Sequence, residues 1–262
     1  AGILPGDRVS LFVRPSLDFM PLVFALYKIG AVVVLIDPGM GRKGLLSCVE
    51  RIAPKALVAV PEALAASRLY SGKFRSVRIR ICVGPAPWLW GATGIDSIAG
   101  SDASPMESHS PGPGEEASIL FTSGSTGPAK GVRYTHGILD AQTRHIQQMY
   151  GIEAGEIDLP CFPLFGLFSL AMGMTVVVPD MDPTKPALAD PALLSEAILD
   201  QGVTNAFASP ALWKPFAAWC IREGATFPSL RRILSAGAPI PPSLHKGFKE
   251  ILSPGAQIHT PY

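Results

Sequence analysis

The chain has 262 residues, 48% of them hydrophobic and 16% charged, with 22 Lys plus Arg against 21 Asp plus Glu for a net charge of +1. That length and apolar content suffice for one large domain or two modest ones with a sizeable core. The near-zero charge leaves no electrostatic footprint for nucleic acid or for an acidic membrane surface.

The N-terminal "AGILPGDRVSLFV" has no basic segment followed by an apolar core and a cleavage site, so it does not read as a signal peptide. Arg8–Val13 reads as a strand. The next segment reads as a helix with Ser16 as N-cap, apolar residues at helical spacing and a stop at Gly30. "AVVVLID" is a continuously apolar strand, the pattern of a sheet covered on both faces. Helix Arg42–Ile52, strand Ala56–Val60, helix Pro61–Leu69 and strand Val77–Val83 follow. Arg75, Arg78 and Arg80 around the last strand read as its solvated face rather than a nucleic-acid stripe. From Gly84 to Glu116 the rhythm breaks into a Ser-, Pro-, Gly- and acid-rich stretch, expected to be a long loop or linker. This organisation predicts a first lobe over 1–83, a linker over 84–116 and a second lobe over 117–262.

The second lobe resumes with strand "ASILFT", a Gly-rich stretch, strand "VRYT" and a helix from His136. Leu164–Val178 carries no charge but falls short of the roughly 20 residues that span a bilayer. Gly166, Gly173 and the β-branched end suggest a buried helix running into a strand. Strands and helices then alternate: helix "PALLSEAILDQG", strand "TNAFA", helix "PALWKPFAAWCIREG", strand "LRRILSAG", helix "PPSLHKGFKEIL" and strand "AQIHT". Such alternation predicts an α/β fold with two mostly parallel sheets and crossover helices. Cys48, Cys82, Cys161 and Cys220 stand far apart, without metal or redox spacing, and read as reduced buried thiols in a cytoplasmic protein.

The chemistry concentrates in "ILFTSGSTGPAKGV", residues 119–132. Gly124, Gly127 and Gly131 permit positive φ and leave backbone amides free to converge on an anion. Thr122, Ser123, Ser125 and Thr126 add hydroxyl donors and Lys130 adds one positive charge, with no acid inside the stretch. Donors plus a cation describe a phosphate cradle. The Walker pattern fails because Ala129 precedes Lys130 and Gly131 follows it. The dinucleotide pattern fails because a strand rather than a helix follows. A nucleophile elbow fails because no glycine lies two residues before Ser125.

"FTSGSTGPAKG" resembles the phosphate-binding signature of the adenylate-forming enzymes, which include acyl-CoA synthetases, luciferases and peptide-synthetase adenylation domains. The likeness recurs in order along the chain in "LYKIGAVVVLIDP", "LPCFPLFGLFSLAMG", "LRRILSAGAPIPPSL" and "IHTPY". It implies the layered αβαβα N-terminal domain of that family, with two mostly parallel sheets sharing helices. It implies ATP and Mg2+ as cofactors. Catalytic weight would fall on Lys130 and Thr122, and the phosphates would lie on Thr122, Ser123, Gly124, Ser125, Thr126, Gly127 and Lys130. Gly237, Ala238 and Pro239 would back the adenine, with Thr260 beside it and Tyr262 stacked on it. Phe165, Gly166, Phe168, Ser235 and Ala236 would line an acyl pocket. No metal ligand is expected within the chain.

Two departures sharpen the reading. Pro128 comes one residue earlier than the family's usual Pro-Lys, and Gly166 stands where most acyl-CoA synthetases carry histidine. The latter, with "GPAKGVRYTHG", is similar to the branch that closes β-hydroxy fatty acids to β-lactones in olefin biosynthesis. The carboxylic acid substrate is the expected partner, with CoA or other enzymes of olefin biosynthesis as further ones, and neither nucleic acid nor a membrane span is expected. Long-chain fatty acid–CoA ligation is the alternative within the family. A non-catalytic nucleotide- or acyl-binding module is the alternative from another class. The likeness implies an N-terminal portion of a longer enzyme, inactive by itself, because the family's Thr-Glu pair, hinge and catalytic C-terminal lysine are not among these residues.

Overall fold

The computed structural model describes residues 2–100, 107–122 and 129–261. The chain divides into two compact units, Ala1–Gln142 and Thr143–Tyr262. Among the described residues the strands form a seven-stranded sheet in the first unit and a five-stranded sheet in the second. Every neighbouring pair is parallel except one, as the strand–helix alternation predicts.

The first unit contains β1 (Arg8–Phe12), α1 (Phe19–Lys28), β2 (Val32–Ile36), α2 (Gly41–Ile52), β3 (Ala56–Ala59), α3 (Pro61–Leu69), β4 (Ile79–Cys82), β5 (Thr93–Gly94), α4 (Ile95–Ala99), β6 (Glu116–Thr122) and β7 (Lys130–Thr135). The sheet order is β5-β4-β3-β1-β2-β6-β7. The unbroken apolar run of β2 lies near its centre, where both faces are covered. One side packs Val32, Val34 and Ile36 with Val49, Ile52, Leu57, Leu64, Ile119 and Phe121. The N-cap of α1 is Asp18 rather than the expected Ser16, whose hydroxyl accepts from the Asp18 N–H at 3.3 Å in the turn before the helix. The helix stops where Gly30 takes φ +73, which lets the Ala31 N–H close on the Leu26 carbonyl at 2.9 Å.

The second unit receives α5 (His136–Tyr150), which runs across the division, then β8 (Ile157–Pro160), α6 (Pro163–Ala171), β9 (Thr175–Val176), α7 (Pro191–Asp200), β10 (Asn205–Ala208), α8 (Pro210–Glu223), β11 (Arg232–Ser235), α9 (Pro242–Ile251) and β12 (Gln257–His259). The order β12-β11-β10-β8-β9 is parallel throughout. Its main core joins Leu159, Ala206, Ala208 and Ile233 from the strands to Leu212, Trp213, Phe216, Leu244 and Phe248 from α8 and α9. Asp190 caps α7, its carboxylate accepting from the Ala192 N–H at 2.9 Å. Gly202 and Gly224 take positive φ just beyond α7 and α8.

Three expectations need revision. The division does not fall in 84–116: β6 pairs with β2 from Val33↔Ser118 to Ile36↔Phe121, so residues 116–135 belong to the first sheet and the split follows Gln142. Part of 84–116 is itself structured, as β5 and α4. The sequence pattern also passes over β8, because Asp158 and Pro160 interrupt its apolar run; its strand geometry comes from pairing with β10. Cys48, Cys82, Cys161 and Cys220 are all buried, as expected for apolar-packed thiols. Among the described residues, no helix is long and apolar enough to cross a membrane.

Candidate functional site

The site residues proposed from the sequence fall on both units. In the first, β6 ends at Thr122 and β7 begins at Lys130, the two being cross-strand partners in the antiparallel ladder. Ser123, Gly124, Ser125, Thr126 and Gly127 lie outside the described residues. Lys130 is exposed. One step along the ladder, Gly131 pairs with Phe121, and a Cβ there would come within 2.9 Å of the Phe121 ring. A steric demand of the hairpin therefore selects this glycine, independently of any phosphate. The buried Phe121 ring is covered by the guanidinium of Arg51, 5.1 Å from the ring centroid, which also donates to the Ala129 carbonyl. From the end of α2, Arg51 thus braces both stems of the loop, Phe121 before it and Ala129 after it. Sequence reasoning missed it, because 78 positions separate Arg51 from Ala129 and no local pattern links them.

The outgoing end of the hairpin is equally well tied. Thr135 Oγ1 accepts from the Ile138 N–H at 3.2 Å and so caps α5. The His136 N–H donates to the Glu115 carbonyl, and its ring meets the edge of Tyr27 with centroids 5.8 Å apart. Tyr27 in turn hydrogen-bonds Ser118 of β6 at 2.6 Å. Burial lowers the His136 pKa, which keeps the imidazole neutral near pH 7. These are the contacts of a helix-start residue.

In the second unit the predicted residues gather at the carboxyl end of the parallel sheet, where open α/β sheets bind ligands. Ser235 ends β11, Ala236 is half-buried, and Gly237, Ala238 and Pro239 form an exposed turn with Gly237 at φ +91. Thr260 follows β12 and is exposed. Tyr262 lies outside the described residues. On α6, Phe165 lies flat on Phe207 of β10, ring centroids 3.8 Å apart and 20° between planes, with Phe168 6.4 Å from Phe165 and Gly166 buried. Phe207 is the sheet residue on which the Phe165 ring rests.

Ser235 does not join that group. It pairs with Ala208, one residue past Phe207, so its side chain points to the opposite face of the sheet. That face is the Ala208–Trp213–Phe248 core, and the Ser235 hydroxyl is buried there without a hydrogen-bond partner. A motif read along the chain groups neighbours that the pleat separates.

Beneath α6 lies a polar cluster that periodicity did not suggest. Asp158, Asn205 and Arg232 are register partners on adjacent strands and share one face. Arg232 donates to Glu156 at 3.0 Å, and both side chains are under 10% exposed, at 8% and 6%. Burial works to raise the Glu156 pKa, but the Glu153 N–H, Arg232 and Thr204 outweigh it and hold the carboxyl below its usual range. Burial pushes Asp158 up to about 6, against hydrogen bonds from Ser169 and Asn205. The legible signal was a charged residue inside each of two buried strands. Among the described residues, no group of three or more His, Cys, Asp or Glu side chains could hold a metal ion.

A family model described as AMP-binding enzyme matches residues 1–262. The chain is 43% identical over 263 residues to the olefin beta-lactone synthetase of Stenotrophomonas maltophilia, covering 100% of this chain and 46% of the relative. It is 40% identical over 267 residues to the olefin beta-lactone synthetase of Xanthomonas campestris pv. campestris, again covering 100% of this chain and 46% of the relative. A long-chain-fatty-acid–CoA ligase from Archaeoglobus fulgidus shares the fold, with a TM-score of 0.84 at 21% identity over 99% of this chain and 52% of that one. The chain therefore spans about half the length of the curated relatives it matches.

Proposed function

The chain belongs to the AMP-binding enzyme family, and from that premise we propose that the protein activates a β-hydroxy fatty acid with ATP and closes it to a β-lactone. The observation that carries this reading is the 43% identity, over the whole chain, to an enzyme named for that product. The glycine-rich hairpin and the apolar α6 wall supply the chemistry it needs.

A carboxylate acylates poorly because oxide would have to leave. In the first step the carboxylate oxygen attacks the α-phosphorus of ATP, and pyrophosphate departs with the electron pair of the α–β bridge. In the second, the β-hydroxyl oxygen attacks the acyl carbonyl, AMP departs, a four-membered ring closes and one proton is released. Both steps need preorganised donors where negative charge collects. In this reading the 122–130 stretch grips the β- and γ-phosphates, and Lys130 meets the terminal one. Gly237, Ala238, Pro239, Thr260 and Tyr262 accommodate the adenine. Phe165, Gly166, Phe168 and Ala236 line the acyl chain. Magnesium accompanies the triphosphate. Among the described residues, no group of three or more His, Cys, Asp or Glu side chains could hold it.

Incubation of the intact protein with ATP, a long-chain β-hydroxy acid and CoA tests the reading. A CoA-independent lactone with AMP and pyrophosphate supports it. An acyl-CoA product replaces it with thioester formation, and no acid-dependent pyrophosphate exchange at all leaves a binding module.

A further inference from the structure

The buried polar cluster under α6 is left unused by that chemistry. Asp158 accepts from Asn205 Nδ2 through Oδ1 and from Ser169 Oγ through Oδ2, both at 2.5 Å. Glu156 accepts from Arg232 at 3.0 Å and from Thr204 at 3.1 Å, and Arg232 also reaches Asn205 Oδ1 at 3.4 Å and the Gly151 carbonyl at 3.2 Å. Asp158, Asn205 and Ser169 are each less than 5% exposed. Well-packed apolar residues of similar volume hold such positions at least as stably, so stability alone does not account for the cluster. What it adds is direction. A hydrogen bond fixes where a helix sits along and around its axis, whereas an apolar contact lets it slide.

The link from the sheet to α6 is Ser169. Phe165 lies four residues earlier, on the same helix face, and stacks on Phe207. Phe207 in turn follows Asn205 by two residues, so it shares the strand face that carries Asp158 and Asn205. The helix is therefore pinned at two points one turn apart, one directional and one apolar. Gly166 and Phe168 lie between the two pins.

We propose that the Asp158–Ser169 hydrogen bond positions α6 and thereby sets which acyl chains the pocket accepts, making Ser169 and Asp158 specificity-determining positioning residues. This rests on the reading of α6 as the acyl wall. The test compares the intact wild-type protein with S169A, D158N and the double variant. Three quantities are read: apparent KM for straight-chain β-hydroxy acids of graded length, apparent KM for ATP, and amide hydrogen exchange across Pro163–Ala171.

Loss of one buried hydrogen bond is expected to raise KM for the preferred acid about fivefold or more and to flatten the chain-length preference. KM for ATP stays within about twofold, because α6 is given no part in nucleotide binding. The double variant costs no more than the worse single, as expected when two changes break one contact. Exchange across α6 quickens by about fivefold while α8 is unchanged. An unaltered chain-length profile in folded S169A overturns the proposal. If wild-type protein activates no carboxylic acid, the functional reading falls on its own. Exchange then decides the clamp: quickening confined to α6 supports it, and unchanged exchange removes it.

Discussion

Lys130 stands directly opposite Thr122 in the β6–β7 ladder, so the two ends of the glycine-rich stretch are held one across from the other by backbone pairing. The hairpin, rather than the stretch itself, decides where the lysine begins. In K130A the ladder loses no backbone bond, and the side chain is exposed, so thermal stability should stay within about 0.5 kcal/mol of wild type. If Lys130 meets the terminal phosphate, pyrophosphate exchange falls by roughly 10- to 100-fold, the worth of one charge-assisted hydrogen bond. Exchange at the wild-type rate would remove the assignment.

Gly131 is selected by the Phe121 ring. Alanine in an exposed strand position ordinarily stabilises relative to glycine by reducing unfolded-state entropy. Here the added Cβ meets Phe121 Cζ at 2.9 Å and Ile119 Cγ2 at 3.1 Å, under a ring pressed by Arg51. G131A should therefore destabilise by about 1–3 kcal/mol, and F121L should relieve part of that cost in the double variant. Urea midpoints of the three variants check the sign; a stabilised G131A contradicts the packing argument.

Arg232 and Glu156 form a buried pair at 3.0 Å. Removing one partner leaves a charge with poor access to water, which costs about 3–5 kcal/mol. R232M should lose that much, and R232M/E156Q should recover most of it because no lone charge remains. A double variant no more stable than R232M would show that the pair's electrostatics are not the source.

Asp158 predicts a pH effect of unusual sign for a carboxylate. Its native pKa of about 6 lies above the ordinary 3.8, because burial disfavours the ionised form. Between those values the native state holds a proton that the unfolded chain has released, so stability falls as pH rises from about 4 to about 6, then levels off. The span is about 3 kcal/mol at 1.36 kcal/mol per pKa unit, an order-of-magnitude figure. D158N cannot titrate there. The stability difference between wild type and D158N, measured from pH 4 to 7, should move against wild type by that order, with Glu156 common to both. A pH-independent difference would refute it.

Gly166 is buried on α6 between Phe165 and Phe168, beside the Phe165–Phe207 stack. An indole there takes up volume next to the ring pair. G166W is expected to shift the preferred acid to a shorter chain in competition assays. The same preference in mutant and wild type would take Gly166 out of the acyl wall.

Much of this was legible locally. Alternating apolar runs and helix-length segments mark parallel strands with crossover helices, because a strand buried on both faces must be apolar throughout, as β2 is. The density of glycine, hydroxyl and lysine between Thr122 and Gly131 carries the proposal of an anion site, because those side chains and a freed backbone serve little else together. Stop signals such as Gly30 and Gly202 were readable, because only glycine takes those positive φ values cheaply.

Other features were not legible, for a common reason. β8 became a strand through its pairing with β10, against an interrupted apolar pattern. The boundary after Gln142 follows from β6 adding to β2, a contact such as Val33↔Ser118 between residues far apart along the chain. Ser235 turned away from Phe165 because strand pairing fixes the pleat on which each residue lands. Arg51 over Phe121 and Ser169 on Asp158 join segments that share no local pattern. Sequence alone determined the fold class and the family, since both rest on residue type and near-neighbour spacing. Tertiary structure alone decided which side chains meet, since register and face are set by partners distant along the chain.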